Sequence, residues 1–296
     1  MPLLAIVLSL VAAMLFAVAS VLQAAGTRGV PADDAVGAGF FVTLAQRKTW
    51  VAGIVADIVG FVVQAWALTV GSLMLVQPLL VTTLLFALPL AAFSERRLLT
   101  VREWVWAGAL IASLVVFMVL GRSTDGIEDP GFGRWIIPLC VMIPIVVVCV
   151  IGGARLPHGS LRSLTLAIAA GLLLGLSAPF TKTGIGAFDD GILAGLSAWE
   201  FWAMAVTATL GTLWQQSSYQ AGDVQTSLPA VTVLRPIIAM SLGLTIYEES
   251  LQVGNAGGFM IVVALGVMLV STIMLGRLGA PPDARAGNRS MSVPGA

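Results

Sequence analysis

The chain has 296 residues, 58% of them hydrophobic and only 10% charged, whereas a soluble globular domain carries about 25% charge. Its 15 Lys+Arg and 15 Asp+Glu cancel to a formal net charge of zero, so it lacks the basic excess that meets nucleic-acid phosphates. A soluble enzyme and a nucleic-acid binder are excluded on these grounds, and an all-α polytopic membrane protein with short loops is expected.

A helix needs ~20 mostly apolar residues to cross about 30 Å of hydrocarbon. Nine stretches qualify: 3–25, 49–70, 72–93, 103–121, 135–151, 164–184, 201–221, 224–246 and 256–275. Runs such as 110–120 are unbroken apolar, unlike the period-2 alternation of a membrane β-barrel. The first stretch has no basic n-region and is too long for a cleaved signal peptide. Residues 1–276 are therefore expected to form one transmembrane domain. Residues 277–296, rich in Ala, Gly, Pro and Arg, are expected to be a disordered cytoplasmic tail.

Eleven of the fifteen cations fall in the tail and in the loops 26–48, 94–102, 152–163 and 222–223, and only Arg122 and Arg134 lie on the opposite side. The positive-inside rule then puts the N-terminus outside and the C-terminus in the cytoplasm of a plasma (inner) membrane. The outer loops hold eight of the fifteen acidic residues, Glu248 and Glu249 among them. Cys140 and Cys149 share one predicted helix, about 13 Å apart at 1.5 Å per residue, which is too far for a disulfide. His158 is the only histidine, so no Cys/His metal cluster is expected.

The chain resembles itself. At a shift of 151 residues Gly60 meets Gly211, Gln64 meets Gln215, Gly71 meets Gly222 and Pro78 meets Pro229. With a two-residue gap Glu95 meets Glu248, and at a shift of 159 Gln23 meets Lys182. Repeat 1 (about 3–121) and repeat 2 (about 135–276) thus place segments one to four against segments six to nine, with segment five between. Five crossings separate the first and sixth segments, so the two units enter the membrane from opposite sides. Inverted-topology repeats of this kind build many secondary transporters, whose substrate sites lie near the midplane where the repeats meet.

Several local motifs extend this reading. They are Ser20-Val21-Leu22-Gln23 followed by Gly26, Trp50-Val51-Ala52-Gly53, Val76-Gln77-Pro78-Leu79 with Ser94-Glu95-Arg96, Asp129-Pro130-Gly131-Phe132, Lys182, and Gln225-Thr226-Ser227. On these motifs residues 5–275 resemble the drug/metabolite transporter superfamily, and within it the nine-helix NIPA-like branch. The resemblance implies a ten-helix ancestor that lost one helix, and transport of Mg²⁺ or a similar divalent cation.

Ionisable groups within apolar segments cost at least ~2.5–3.5 kcal/mol each on insertion scales, so each needs a partner or an aqueous cavity. Arg235 lies mid-segment beside Pro236, Asp57 lies mid-segment, and Lys182 lies in the last turns of segment six. In one reading Arg235 and Lys182 meet an anionic or polar solute, with Asp57 as counter-charge or proton site. In the other, Asp57 and Arg235 form an ion pair that only locks two helices. The run Gln215-Gln216-Ser217-Ser218-Tyr219-Gln220 and the related Gln64, Gln77 and Gln23 suit a solute's hydroxyls or a shed hydration shell, or else interhelical hydrogen bonds. Pro78 and Pro229 each free a backbone carbonyl and are candidate hinges, as is Pro236. Gly171 and Gly175 form a GxxxG pair suited to close helix packing, with a homodimer contact as the alternative.

No G-x-x-x-x-G-K-[ST] loop is present, so no nucleotide or other cofactor is expected and a gradient must supply any drive. For Mg²⁺ the oxygen ligands at hand are Asp57, Gln64, Gln77 and Thr82. However, Phe61 stands where the resemblance implies an acidic residue, and Arg235 places positive charge in the path. A small polar or anionic metabolite or an amphiphile is therefore expected alongside the divalent-cation reading. A non-transporting membrane scaffold or complex subunit is the third alternative. The partners expected are the lipid bilayer and a small solute or ion.

Overall fold

The computed structural model describes residues 2–27, 45–94, 96–124, 126–221, 224–252 and 255–278. The expectations for the loop 28–44, for Glu95, Asp125, Gly222 and Asp223, and for the tail beyond residue 278 lie outside the described residues.

The described chain is helical almost throughout: α1 (Pro2–Thr27), α2 (Lys48–Val70), α3 (Leu73–Leu80), α4 (Thr83–Ser94), α5 (Val101–Leu120), α6 (Gly133–Arg155), α7 (Ser160–Gly186), α8 (Ile192–Ser197), α9 (Trp199–Ala221), α10 (Val224–Thr245) and α11 (Asn255–Leu278). Helix α11 therefore runs slightly past residue 276, where the transmembrane domain was expected to end. The third predicted segment is split into α3 and α4. Past Pro78, the Val81 N–H donates to Pro78 O at 3.2 Å and the Thr82 N–H to Leu79 O at 3.0 Å, a tightening to i→i+3 bonds that interrupts the α-helix. Helix α10 carries Pro229 and Pro236 without a break, so the paired prolines have different outcomes.

Among the described residues, seven helices are long and apolar enough to cross a membrane, counting α3 with α4 as one span. Their outward faces carry large apolar side chains, such as Val55, Ile58, Val62 and Trp66 on α2. Surfaces of that kind belong in lipid rather than water, and the protein is an all-α membrane-integral chain. Helix α9 does not meet the same measure, because it spends its last turns on the polar run from Gln215 to Gln220. Helix α10 is apolar over Pro229–Thr245.

Packing follows the polarity. Helix α7 is the most buried span and α6 the most lipid-exposed. Helix α1 packs on α2 and on α3 and α4, while α7 packs on α9 and α10; α5 packs on α11, α10 also meets α3, and α2 meets α7. Cys140 is exposed on α6.

The loops gather at two ends. At one, the Gly159 N–H donates to Ala221 O at 2.9 Å and Arg47 reaches Gly26 O at 3.1 Å. The Thr100–Glu103 capping box starts α5 at the same end of its span as Arg97, which binds Glu103 at 2.9 Å. At the other, a two-stranded antiparallel ribbon pairs Arg122–Thr124 (β1) with Ser250–Gln252 (β2), Ser123 opposite Leu251. There the Ile127 N–H donates to Tyr247 O at 2.7 Å.

Candidate functional site

Two polar centres stand out among the described residues. The first lies half-way along α10. Gly171 and Gly175 lack the Cβ atoms that would collide with Leu234 and Ile238, and Gly175 also lies against Arg235 O. That approach presses α7 onto α10 and fixes the backbone from which Arg235 projects. Arg235 Nη2 donates to Gln64 Oε1 of α2 at 3.4 Å, and Gln64 is 1% exposed.

Asp57 lies two turns before Gln64. Gly53, Gly60, Gln64 and Leu68 on the same side of α2 are all buried, yet Asp57 is exposed. Asp57 and Arg235 attract one another at a distance but form no direct ion pair among the described residues. The simple interhelical lock that the sequence allowed is not made. Gln77 of α3 is 2% exposed, and its Nε2 has no hydrogen-bond partner among the described residues. The Thr82 hydroxyl donates to Leu79 O at 2.6 Å, so its proton is committed to the backbone.

The remaining candidates lie elsewhere. Gln215 Nε2 donates to the Tyr219 hydroxyl at 3.0 Å within the last turns of α9, and Ser218 Oγ to Gln215 O at 2.7 Å. Ser163 Oγ ties this stretch to the start of α7 through Ser218 O at 2.8 Å. Much of the polar run is thus satisfied locally, at the helix end beside Gly159. Gln216 is exposed, and Gln23 is half-buried against Gly53. An apolar groove of about 350 Å³ lies between α5 and α11, lined by residues such as Ala112, Val116, Phe259 and Val263; none of the polar candidates lines it.

The second centre is at the ribbon end and corrects two expectations. Lys182 is not free to meet a solute, because its Nζ lies 2.6 Å from Glu249 Oε1. Glu249, expected among the solvated outer acids, is 1% exposed. Its carboxylate also accepts from the Leu73 N–H at 2.9 Å and the Met74 N–H at 3.0 Å, two of the unpaired donors at the start of α3. The same helix is N-capped by Ser72. A Cβ at Gly243 would sit 2.8 Å from Glu249 Oε2, so glycine there makes room for the carboxylate.

Tyr247 completes this centre. Its hydroxyl donates to Pro179 O at 2.6 Å, and its ring carries Lys182 Nζ 4.8 Å from the centroid. Burial pushes the phenol above its ordinary range, so the group stays a donor. Trp135, fully buried, stacks on Phe180 at 4.4 Å and meets Trp199 and Tyr247 edge-on. Glu249 and Tyr247 escaped sequence reasoning; the available signal was an apolar-flanked Lys182 in need of a counter-charge. Neighbouring Glu248 is exposed and pairs with Arg134 at 2.6 Å.

No family model matches the chain, and no solved structure matches it. It is similar to the uncharacterized protein Cgl0250/cg0304 of Corynebacterium glutamicum, at 34% identity over 285 residues that cover 95% of this chain and 97% of that protein. At that identity and coverage, the chain belongs to the same family as this corynebacterial protein.

Proposed function

We propose that this chain is a secondary-type transporter, similar to the NIPA-like branch of the drug/metabolite transporters. It moves a small polar or anionic metabolite by alternating access past Arg235. Helices α9 and α10 complete nine passes, with the N-terminus outside and the C-terminus in the cytoplasm of the plasma membrane.

Equivalent contacts support an inverted repeat. A Cβ on Gly60 would meet Leu15 and Phe16 of α1, and one on Gly211 would meet Leu173 and Leu174 of α7. The 159-residue shift carries Leu15 onto Leu174. Gly26 abuts Trp50, and Gly184 abuts Phe201, the position 151 residues after Trp50.

The observation that carries the reading is Arg235, a cation half-way along an apolar helix that donates to the neutral Gln64. An arginine costs too much in hydrocarbon to stand there for packing alone. Its guanidinium presents five donors, of which one long bond reaches Gln64. The unpartnered Gln77 amide adds further donor capacity, and an acceptor-rich solute answers both. The Asp57 carboxylate within an apolar helix favours a second reading, transport of a divalent cation; like-charge repulsion from Arg235 weighs against it.

Uptake into proteoliposomes separates the two. Radiolabelled carboxylates, phosphate esters and amino acids form one panel, and Mg²⁺ reported by an entrapped dye forms the other. Solute uptake abolished by Arg235→Ala supports the metabolite reading. A Mg²⁺ flux lost in Asp57→Asn and kept in Arg235→Ala overturns it.

A further inference from the structure

We propose that the Glu249–Lys182 pair is the latch of a gate that seals one end of the transport path in this conformation. The inference rests on the alternating-access reading and names the contact that must break when the path opens the other way. Three observations carry it.

First, the ribbon end is closed. Trp135 and Tyr247 are fully buried, and Phe180 and Glu249 are each 1% exposed. Along α2 the side nearer that end is closed as well, with Gln64 and Leu68 buried.

Second, the latch spans both halves of the chain. The carboxylate comes from the link between α10 and α11, the ammonium from α7, and the two amide donors from the start of α3. Leu73 and Glu249 are 176 residues apart in sequence. Rocking α3 away from α7 strips Glu249 of its amide donors or of Lys182.

Third, the cation of the latch is matched by a neutral side chain across the repeat. The position matching Lys182 is Gln23, which lies against Gly53. Of these two matched positions only the one at the ribbon end carries an ammonium.

A thiol-accessibility experiment tests this without any solute. Ser177, 5% exposed and five residues before Lys182 on α7, is replaced by cysteine in a Cys140→Ser, Cys149→Ser chain in nanodiscs. Ala170→Cys, at a fully buried site deeper on α7, reports the integrity of the fold. Labelling by a membrane-impermeant maleimide is followed over time. Glu249→Gln and Lys182→Met are expected to speed labelling at residue 177 about ten-fold or more, while Lys182→Arg stays within about two-fold of the parent, since only the first two remove a charge from the pair. Residue 170 is expected to stay protected throughout. Unchanged labelling at 177 in both charge-removing variants overturns the proposal. So does faster labelling at 177 and 170 together, because the pair would then hold the whole fold rather than one end. A transporter reading that fails in the uptake assay leaves this result legible on its own.

Discussion

Glu249 and Lys182 meet at 2.6 Å in a site where the carboxylate side chain has no exposure and the lysine side chain only 12%. Two charges so placed are each stable only while the other is present, because an unpaired buried ion keeps its full desolvation cost. Removing either partner is expected to destabilise the protein by about 3–5 kcal/mol. Thermal unfolding in detergent checks this, with Glu249→Gln and Lys182→Met both melting below wild type.

The adjacent acid is expected to behave differently. Glu248 and Arg134 pair at 2.6 Å, but their side chains are 60% and 39% exposed. Solvent and salt screen such a pair to roughly 0–1 kcal/mol. Glu248→Gln is therefore expected to leave the melting temperature close to wild type under the same conditions. A drop as large as that of Glu249→Gln would contradict the distinction between these neighbours.

Trp135 anchors the aromatic cluster at the same end. Trp135→Ala removes a fully buried indole from its stack on Phe180, a change that costs about 3–5 kcal/mol in packed cores. Trp135→Phe keeps the stack and loses the bond from Nε1 to Pro130 O, 3.3 Å long. The expected order of melting temperatures is wild type, then Phe, then Ala.

The paired glycines give a test of the repeat. A Cβ at Gly60 would lie 3.0 Å from Phe16 Cδ1, and one at Gly211 would lie 2.8 Å from Leu174 Cγ. Overpacking of this sort costs about 1–3 kcal/mol. Gly60→Ala and Gly211→Ala are expected to lower stability by similar amounts, since each opens the same helix pair in its own half. A large effect at one and none at the other would count against equivalent packing.

The sequence made the membrane character and the helix positions legible, because length and hydropathy decide those. Arg235 stood out because a cation in an apolar run has few explanations. Glu249 did not, because it follows Glu248 at a helix end, where local pattern reads as solvated loop; only a contact 176 residues away buries it. For the polar run of α9 a solute-facing role and interhelical bonding stayed open side by side, since periodicity does not reveal that Gln215 and Tyr219 bond to each other. The break after Pro78 and the continuity of α10 through Pro229 and Pro236 likewise depend on tertiary packing rather than on the proline itself.

Gln77 separates transport from stability. Its buried Nε2 lacks a partner among the described residues, and an unsatisfied buried donor costs about 1–3 kcal/mol. Gln77→Leu is expected to hold or raise thermal stability while reducing solute flux. Lower stability in that variant would mean that the amide is engaged in the folded state.

The central claim is that solute crosses at Arg235, and flux through wild-type and Arg235→Ala proteoliposomes tests it most directly. The wild type is expected to take up a polar or anionic metabolite faster than protein-free liposomes, and the folded variant to lose that uptake. Equal flux in the two proteins, or no solute of either panel moving faster than through protein-free liposomes, would contradict it.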